Sequence, residues 1–280
     1  MADFITSKSG SNSVLVPQVW SSKYYDKLLQ DLAFNSIIAT DYQGDISGPG
    51  DTVLINTFGE YAEASLVGEE VANDADQLTI TQQSLTINLR VAKDFIVTNL
   101  LSLQSLPFMN QLRDRAIYAI NKKIQALIIE RIVPSAAAPD HQIGYDSGTT
   151  LALADILEAK ELLDAADVPA TDRHLVLGSA QLNDIFNITG FTSSDFLLTG
   201  APLQTGQAPQ ALLGFTPHFT NAAGNVSYFF HKSFMTMASQ QGVNVKQYDL
   251  GPTGLRAERI NVDTLIGIKQ LDGTRVVTIS

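Results

Sequence analysis

Residues 110–132 read NQLRDRAIYAINKKIQALIIERI. Leu112, Ala116, Ile117, Ile120, Ile124, Leu127, Ile128 and Ile132 recur at the 3.6-residue period, which predicts an amphipathic helix over 110–131. At 1.5 Å per residue it would be about 33 Å long. Pro107 stands near its start and Pro134 just past its end, where a helix tolerates or meets a proline. Arg113, Arg115, Lys122, Lys123 and Arg131 outnumber Asp114 and Glu130, so the helix is net basic.

Upstream, Gly48-Pro49-Gly50 is a turn leading into Asp51-Thr52-Val53-Leu54-Ile55, a strand by its β-branched content. Leu85, Ile87, Leu89 and Val91 alternate strictly with Thr86, Asn88 and Arg90, which predicts one half-buried strand, continued by Phe95 and Val97. Between the two strands, residues 58–77 hold Glu60, Glu63, Glu69, Glu70, Asp74 and Asp76 with no Lys or Arg. An excursion of about twenty residues is uncommon inside a compact domain and is usually functional. Residues 1–20 read as an arm with a loop composition, ending on Val19 and the single tryptophan, Trp20. An isolated arm cannot bury these, so Trp20 is expected to dock on the body or on a neighbour. Residues 21–32 follow as a short amphipathic helix.

Downstream, residues 134–150 are linker-like, with Pro134, Pro139, Gly144 and Gly148, and mark a domain boundary. A helix over 151–166 is expected, with Leu153, Ile156, Leu157 and Leu163 inward and Thr149 or Thr150 as N-cap. Residues 173–178 read as a short buried strand, 180–186 as a helix, and Tyr228-Phe229-Phe230 as a strand after a turn-rich stretch. Asp272-Gly273, flanked by Ile266, Ile268, Val277 and Ile279, predicts a hairpin closed by a type I′ turn.

The composition narrows the function. The chain has 280 residues, 45% apolar and 17% charged, no cysteine and a formal net charge of −11. That supports an ordered core, excludes disulfides and thiolate chemistry, and argues against a dedicated nucleic-acid binder. No secretory signal and no run of about twenty apolar residues is present, so a soluble chain without membrane contact is expected. His141, His174, His218 and His231 show no metal-ligand spacing, and no phosphate-loop, dinucleotide or nucleophile-elbow motif occurs. Asp74-Ala75-Asp76 lacks the glycine and closing glutamate of a calcium loop. No catalytic, cofactor or metal residue is therefore assigned. The six carboxylates of the excursion and the cations Arg113, Arg115, Lys122 and Lys123 are complementary surfaces that could meet between copies.

In this order, the elements resemble the major capsid protein of tailed double-stranded DNA bacteriophages, with the Hong Kong 97-type fold. The resemblance covers about 14–279. It rests on Gly50-Asp51-Thr52-Val53 as the turn into the extended loop, residues 85–99 as a peripheral strand, and 110–131 as the spine helix. Arg173-His174-Leu175-Val176-Leu177 and Gly214-Phe215 match short motifs of the axial domain. The resemblance implies an α+β chain with an N-terminal arm (1–20), an extended β loop (53–84), and a peripheral domain (21–52 and 85–149). It further implies an α/β axial domain (150–248) and peripheral return strands (249–280). It implies pentamers and hexamers of an icosahedral virion capsid around DNA contacted non-specifically. Assembly would take place in the host cytoplasm, with a separate scaffolding protein, a portal protein and, as an optional partner, a decoration protein. Residues 58–77 hold no lysine, so the lysine–asparagine crosslink of some members is not expected from this loop. The alternatives are an encapsulin-type shell, disfavoured because residues 1–20 show no cargo-docking amphipathic helix, and an enzyme with an unrecognised site.

Overall fold

The computed structural model describes residues 29, 32–43, 50–59, 61, 77–98, 106–146, 148, 150–188, 212–251 and 256–280, with backbone alone for 106–110. Met1–Gln30 and Asp31–Ser280 are separate units. Of the first, only Leu29 is described. The expected arm with Trp20 and nearly all of the expected helix over 21–32 thus lie outside the described residues.

In the second unit, a single helical turn, α1 (Phe34–Ile37), precedes β1 (Thr52–Phe58), β2 (Ile80–Thr86), β3 (Leu89–Thr98) and the long helix α2 (Leu106–Glu130). Then follow β4 (Gln142–Ile143), α3 (Leu153–Ala165), β5 (Arg173–Leu177), α4 (Ser179–Asn187), β6 (Thr216–Phe219) and β7 (Ser227–His231). The long strands β8 (Met235–Asp249) and β9 (Ala257–Gln270) and the short β10 (Val276–Ile279) complete it. The strands form a two-stranded ribbon β1-β2, a three-stranded sheet β3-β9-β8 and a mixed five-stranded sheet β4-β10-β7-β5-β6.

The five-stranded sheet is covered on both faces, which is why β5, β7 and β10 are almost wholly buried. Val176, Tyr228, Phe230 and Val276 point to one face and share a core with Phe34, with Ala116, Ile120, Ile124 and Ile128 of α2, and with Ile260 and Val262 of β9. Leu175, Leu177, Phe229, Val277 and Ile279 point to the other face and pack on Ile156, Ala159 and Leu163 of α3 and Ile185 of α4. The alternation along each strand splits one sheet between two cores. Asn35 Nδ2 donates to Asn121 O at 3.1 Å, and buried Gln125 Nε2 to Thr220 Oγ1 at 3.0 Å, fixing α2 along its middle.

Four expectations are corrected. The strand read over 85–91 is two strands in different sheets. β2 pairs with β1 and β3 with β9, and the chain turns at Ile87, whose N–H donates to Asp51 O at 2.7 Å. The turn lies against Gly267, where a Cβ would stand 2.7 Å from Thr86 O. The apolar alternation runs unbroken through this bend because both halves bury the same side.

The Asp272-Gly273 hairpin is not formed either. β9 pairs with β3 and β8, whereas β10 pairs with β7 and β4. Neither Asp272 nor Gly273 takes the positive φ that a type I′ turn requires. Instead the Asp272 carboxylate accepts the Thr274 N–H at 2.9 Å and its hydroxyl at 2.7 Å, closing an Asx turn.

Helix α3 begins after Ala152, and its cap is not a threonine. Asp155 reaches back to accept the Ala152 N–H at 2.7 Å, and its other oxygen takes the Asp146 N–H at 3.0 Å. Leu153 and Leu157 do not face inward; they are 37% and 48% exposed, and Ala159 takes the inner position beside Ile156 and Leu163.

Candidate functional site

The β1-β2 ribbon stands on a narrow base. Val53, Ile55 and Leu85 on its inner side pack with Ile87, Ala238, Tyr42, Leu265 and Leu271. Its register is Phe58↔Ile80, Asn56↔Gln82 and Leu54↔Ser84 on the outer side, where Gln82 Nε2 donates to Asn56 Oδ1 at 3.1 Å. Leu54, Phe58 and Ile80 are exposed there at 58%, 66% and 58%. An isolated two-stranded ribbon is marginal in water, and an apolar row on one needs cover. The acidic residues Glu60, Glu63, Glu69, Glu70, Asp74 and Asp76 fall between the two strands and lie outside the described residues.

Helix α2 distributes its cations unevenly. Lys122 and Lys123 are exposed, and no ion pair of theirs occurs among the described residues. Arg113 and Arg115 are half-buried, and the Arg113 Nε is buried without a hydrogen-bond partner. At about 100° per residue, Arg113 lies in line with Ile120 and Ile124, on the packed side, while Arg115 and Lys122 lie opposite. The sequence held this information, since the wheel position of Arg113 follows from its spacing to the buried isoleucines. The four cations are not one face.

A cleft of about 620 Å³ opens under the ribbon, between Ile55, Thr57 and Gln83 on one side and Tyr42, Leu271 and Arg275 on the other. At its floor, Arg275 Nε donates to Asp272 Oδ2 at 3.1 Å and its Nη1 to Ser233 Oγ at 2.7 Å. Burial alone would raise the Asp272 carboxyl, but the Thr274 and Arg275 hydrogen bonds outweigh it and hold the group below the usual carboxylate range. His231 Nδ1 contacts Ser233 Oγ at 2.7 Å and also accepts the Ser233 N–H at 3.2 Å. That makes His231 the cap of a short turn, and the Ser–His pair is a local brace instead of a nucleophile and its base. Burial and the Arg275 charge push the His231 pKa down.

Two ion pairs join strands of the three-stranded sheet. Arg90 Nη2 pairs with Asp263 at 2.6 Å, and Asp94 accepts from both Arg259 and Asn261. The Arg259 hydrogen bond is the main reason the Asp94 carboxyl sits below its ordinary value.

Two histidines that the sequence separates by 44 positions come together. His174 Nδ1 and His218 Nε2 are 3.2 Å apart on neighbouring parallel strands. Burial, then the neighbouring imidazole, lowers the His174 pKa. Nothing in local spacing signals this pair, because the β5–β6 pairing that makes it is non-local. Among the described residues, no group of three or more His, Cys, Asp or Glu side chains is placed to hold a metal ion. No helix among them is long and apolar enough to cross a membrane.

The fold as a whole is that of phage capsid subunits. Over 95% of this chain and 97% of the other, it superposes on a structure from Mycobacterium phage Che8 with a TM-score of 0.73 at 22% identity. The capsid of cyanophage P-SCSP1u gives a TM-score of 0.77 at 10% identity, covering 99% of this chain and 96% of that one. The cyanophage Pam1 capsid asymmetric unit gives 0.74 at 16% identity, covering 100% and 98%. No curated protein sequence matches the chain. These likenesses establish the class, an α+β capsid fold. Residues 109–280, more than half of the chain, match the family model described as phage capsid protein, and the chain belongs to that family. Its role is that of a structural protein of the phage capsid.

Proposed function

We propose that this chain is the major subunit of an icosahedral capsid, assembling into pentamers and hexamers that enclose phage double-stranded DNA. The observation that carries the reading is the outer row of the β1-β2 ribbon. Leu54, Phe58 and Ile80 are large, apolar and exposed on a ribbon that has no second layer of its own. A neighbouring copy is the cover that a shell supplies. In that arrangement the ribbon reaches across the subunit boundary, and the carboxylates Glu60, Glu63, Glu69, Glu70, Asp74 and Asp76 meet cations such as Lys122 and Lys123 of the next copy. Trp20 docks in the same assembly.

The acidic balance of the chain, net −11, fits a container that must not grip its contents tightly, because phosphate contacts dominate nucleic-acid affinity. DNA is held by confinement and contacted without sequence preference. Assembly takes place in the host cytoplasm, with a separate scaffolding protein and a portal protein.

The test is electron microscopy of the purified chain, alone and with a scaffolding protein encoded beside it. Closed icosahedral shells support the proposal. Monomers that persist in both conditions refute it. Shells loaded with a cargo enzyme, and never with DNA, replace the genome container with a nanocompartment.

A further inference from the structure

We propose that His174 and His218 form a two-imidazole site for a divalent transition-metal ion, zinc or copper, on the edge of the five-stranded sheet. Three observations carry this. The first is separation. Two nitrogens bound to one ion at about 2.05 Å lie about 2.9 Å apart at a right angle and about 3.4 Å apart at the tetrahedral angle. His174 Nδ1 and His218 Nε2 are 3.2 Å apart. A shared proton lies on the line between the nitrogens, whereas an ion about 2.05 Å from both stands about 1.3 Å off it, so each ring turns toward the ion while the separation is kept.

The second is presentation. In the parallel register His174↔Thr216 and Val176↔His218, the two histidines fall two residues apart along the pairing and therefore on the same sheet face. The His174 ring lies 6.0 Å from the Phe230 ring, tilted 46° to it, and 5.2 Å from the His218 ring, tilted 51°. Phe230 is itself locked against Phe34 and Phe234. The site is thus mounted on paired backbone and a packed aromatic floor.

The third is access. Both rings are half-buried and neither is fully enclosed. Two imidazoles without a carboxylate suit zinc or copper better than magnesium or calcium, which take oxygen ligands.

The experiment uses the full chain, with ZnCl2 titrated by calorimetry and CuCl2 followed by electron paramagnetic resonance. Saturable binding of one ion per chain is expected, with copper showing coupling to two nitrogens. In His218→Gln, zinc binding weakens tenfold or more and the copper signal keeps one nitrogen. His141→Gln leaves both unchanged. A wild-type chain with no saturable zinc binding up to millimolar concentration overturns the proposal. So does a His218→Gln variant that binds as the wild type does. Should that variant fail to fold, the copper spectrum of the wild-type chain decides, since any pattern other than two nitrogens is incompatible with this site.

Discussion

Replacing Phe58 and Ile80 together by threonine separates folding from assembly. The two residues are register partners at the far end of the β1-β2 ribbon, 66% and 58% exposed. Covering a large apolar side chain completely is worth about 1.5–3 kcal/mol. The uncovered fractions are then worth at most about 2 kcal/mol for Phe58 and about 1.5 kcal/mol for Ile80 when a neighbouring copy buries them. Their joint loss weakens each contact by up to about 3.5 kcal/mol, roughly a three-hundredfold change in its equilibrium constant. Threonine keeps the strand propensity, so the ribbon itself survives. The variant should melt as the wild type does, within about 0.5 kcal/mol, because exposed positions contribute little to the isolated fold. Sedimentation and light scattering over a concentration series, under conditions where the wild-type chain forms shells, should show the assembly threshold rising tenfold or more. An unchanged threshold with an unchanged melt would refute the idea that this row is covered by a neighbour.

Three further outcomes follow from the interior. Gly178→Ala sets a Cβ 2.1 Å from the backbone oxygen of Gly224, a contact that no rotamer relieves, and should cost about 3 kcal/mol or more. In a thermal melt that is a drop of about 6–12 °C, and a melt at the wild-type temperature would contradict the packing described. Buried Arg173 donates to Pro169 O at 2.9 Å and Val168 O at 2.5 Å and pairs with Asp164 at 2.7 Å. Arg173→Met leaves those carbonyls unserved and should lower stability by about 2–4 kcal/mol, read as a lower denaturation midpoint at constant slope. The Asp272 carboxyl is depressed in the folded state, so its contribution is present above the unfolded carboxylate pKa and fades as pH falls through and below it. Asp272→Asn should therefore cost about 1 kcal/mol at pH 7 and progressively less toward pH 3; a gap that widens on acidification would reverse the assignment.

Elements with a strong local period were legible in the sequence. The stripe Ala116, Ile120, Ile124 and Ile128 gave α2, and the uninterrupted run Leu175-Val176-Leu177 gave β5. Strand β8 was not legible, because Ser239-Gln240-Gln241-Gly242 carries little β preference and its order comes from pairing with β9, with register shifts at Gln241 and Asn244. Strand β6 hides behind Pro217, which an edge strand tolerates and a central one does not. The Asp272-Gly273 signal was real chemistry put to another use: the aspartate closes a turn with its side chain while the flanking strands part into different sheets. Of the surface residues, Lys122 and Lys123 are exposed, whereas Arg113 shares the side of Ile120 and Ile124. The His174–His218 pair escaped notice because only a tertiary strand pairing creates it.

Strand β10 sits between β4 and β7, inside the five-stranded sheet, and its four residues are all buried. β4, β5, β6 and β7 all precede it in the chain, so the strand that joins β4 to β7 is the last of the five in sequence. Both cores that share this sheet draw on β10, through Val276 on one face and Val277 and Ile279 on the other. Neither is complete without residues 276–279. A chain cut before Val276 therefore has an open slot where the intact one holds a strand, and both cores lose a wall at once.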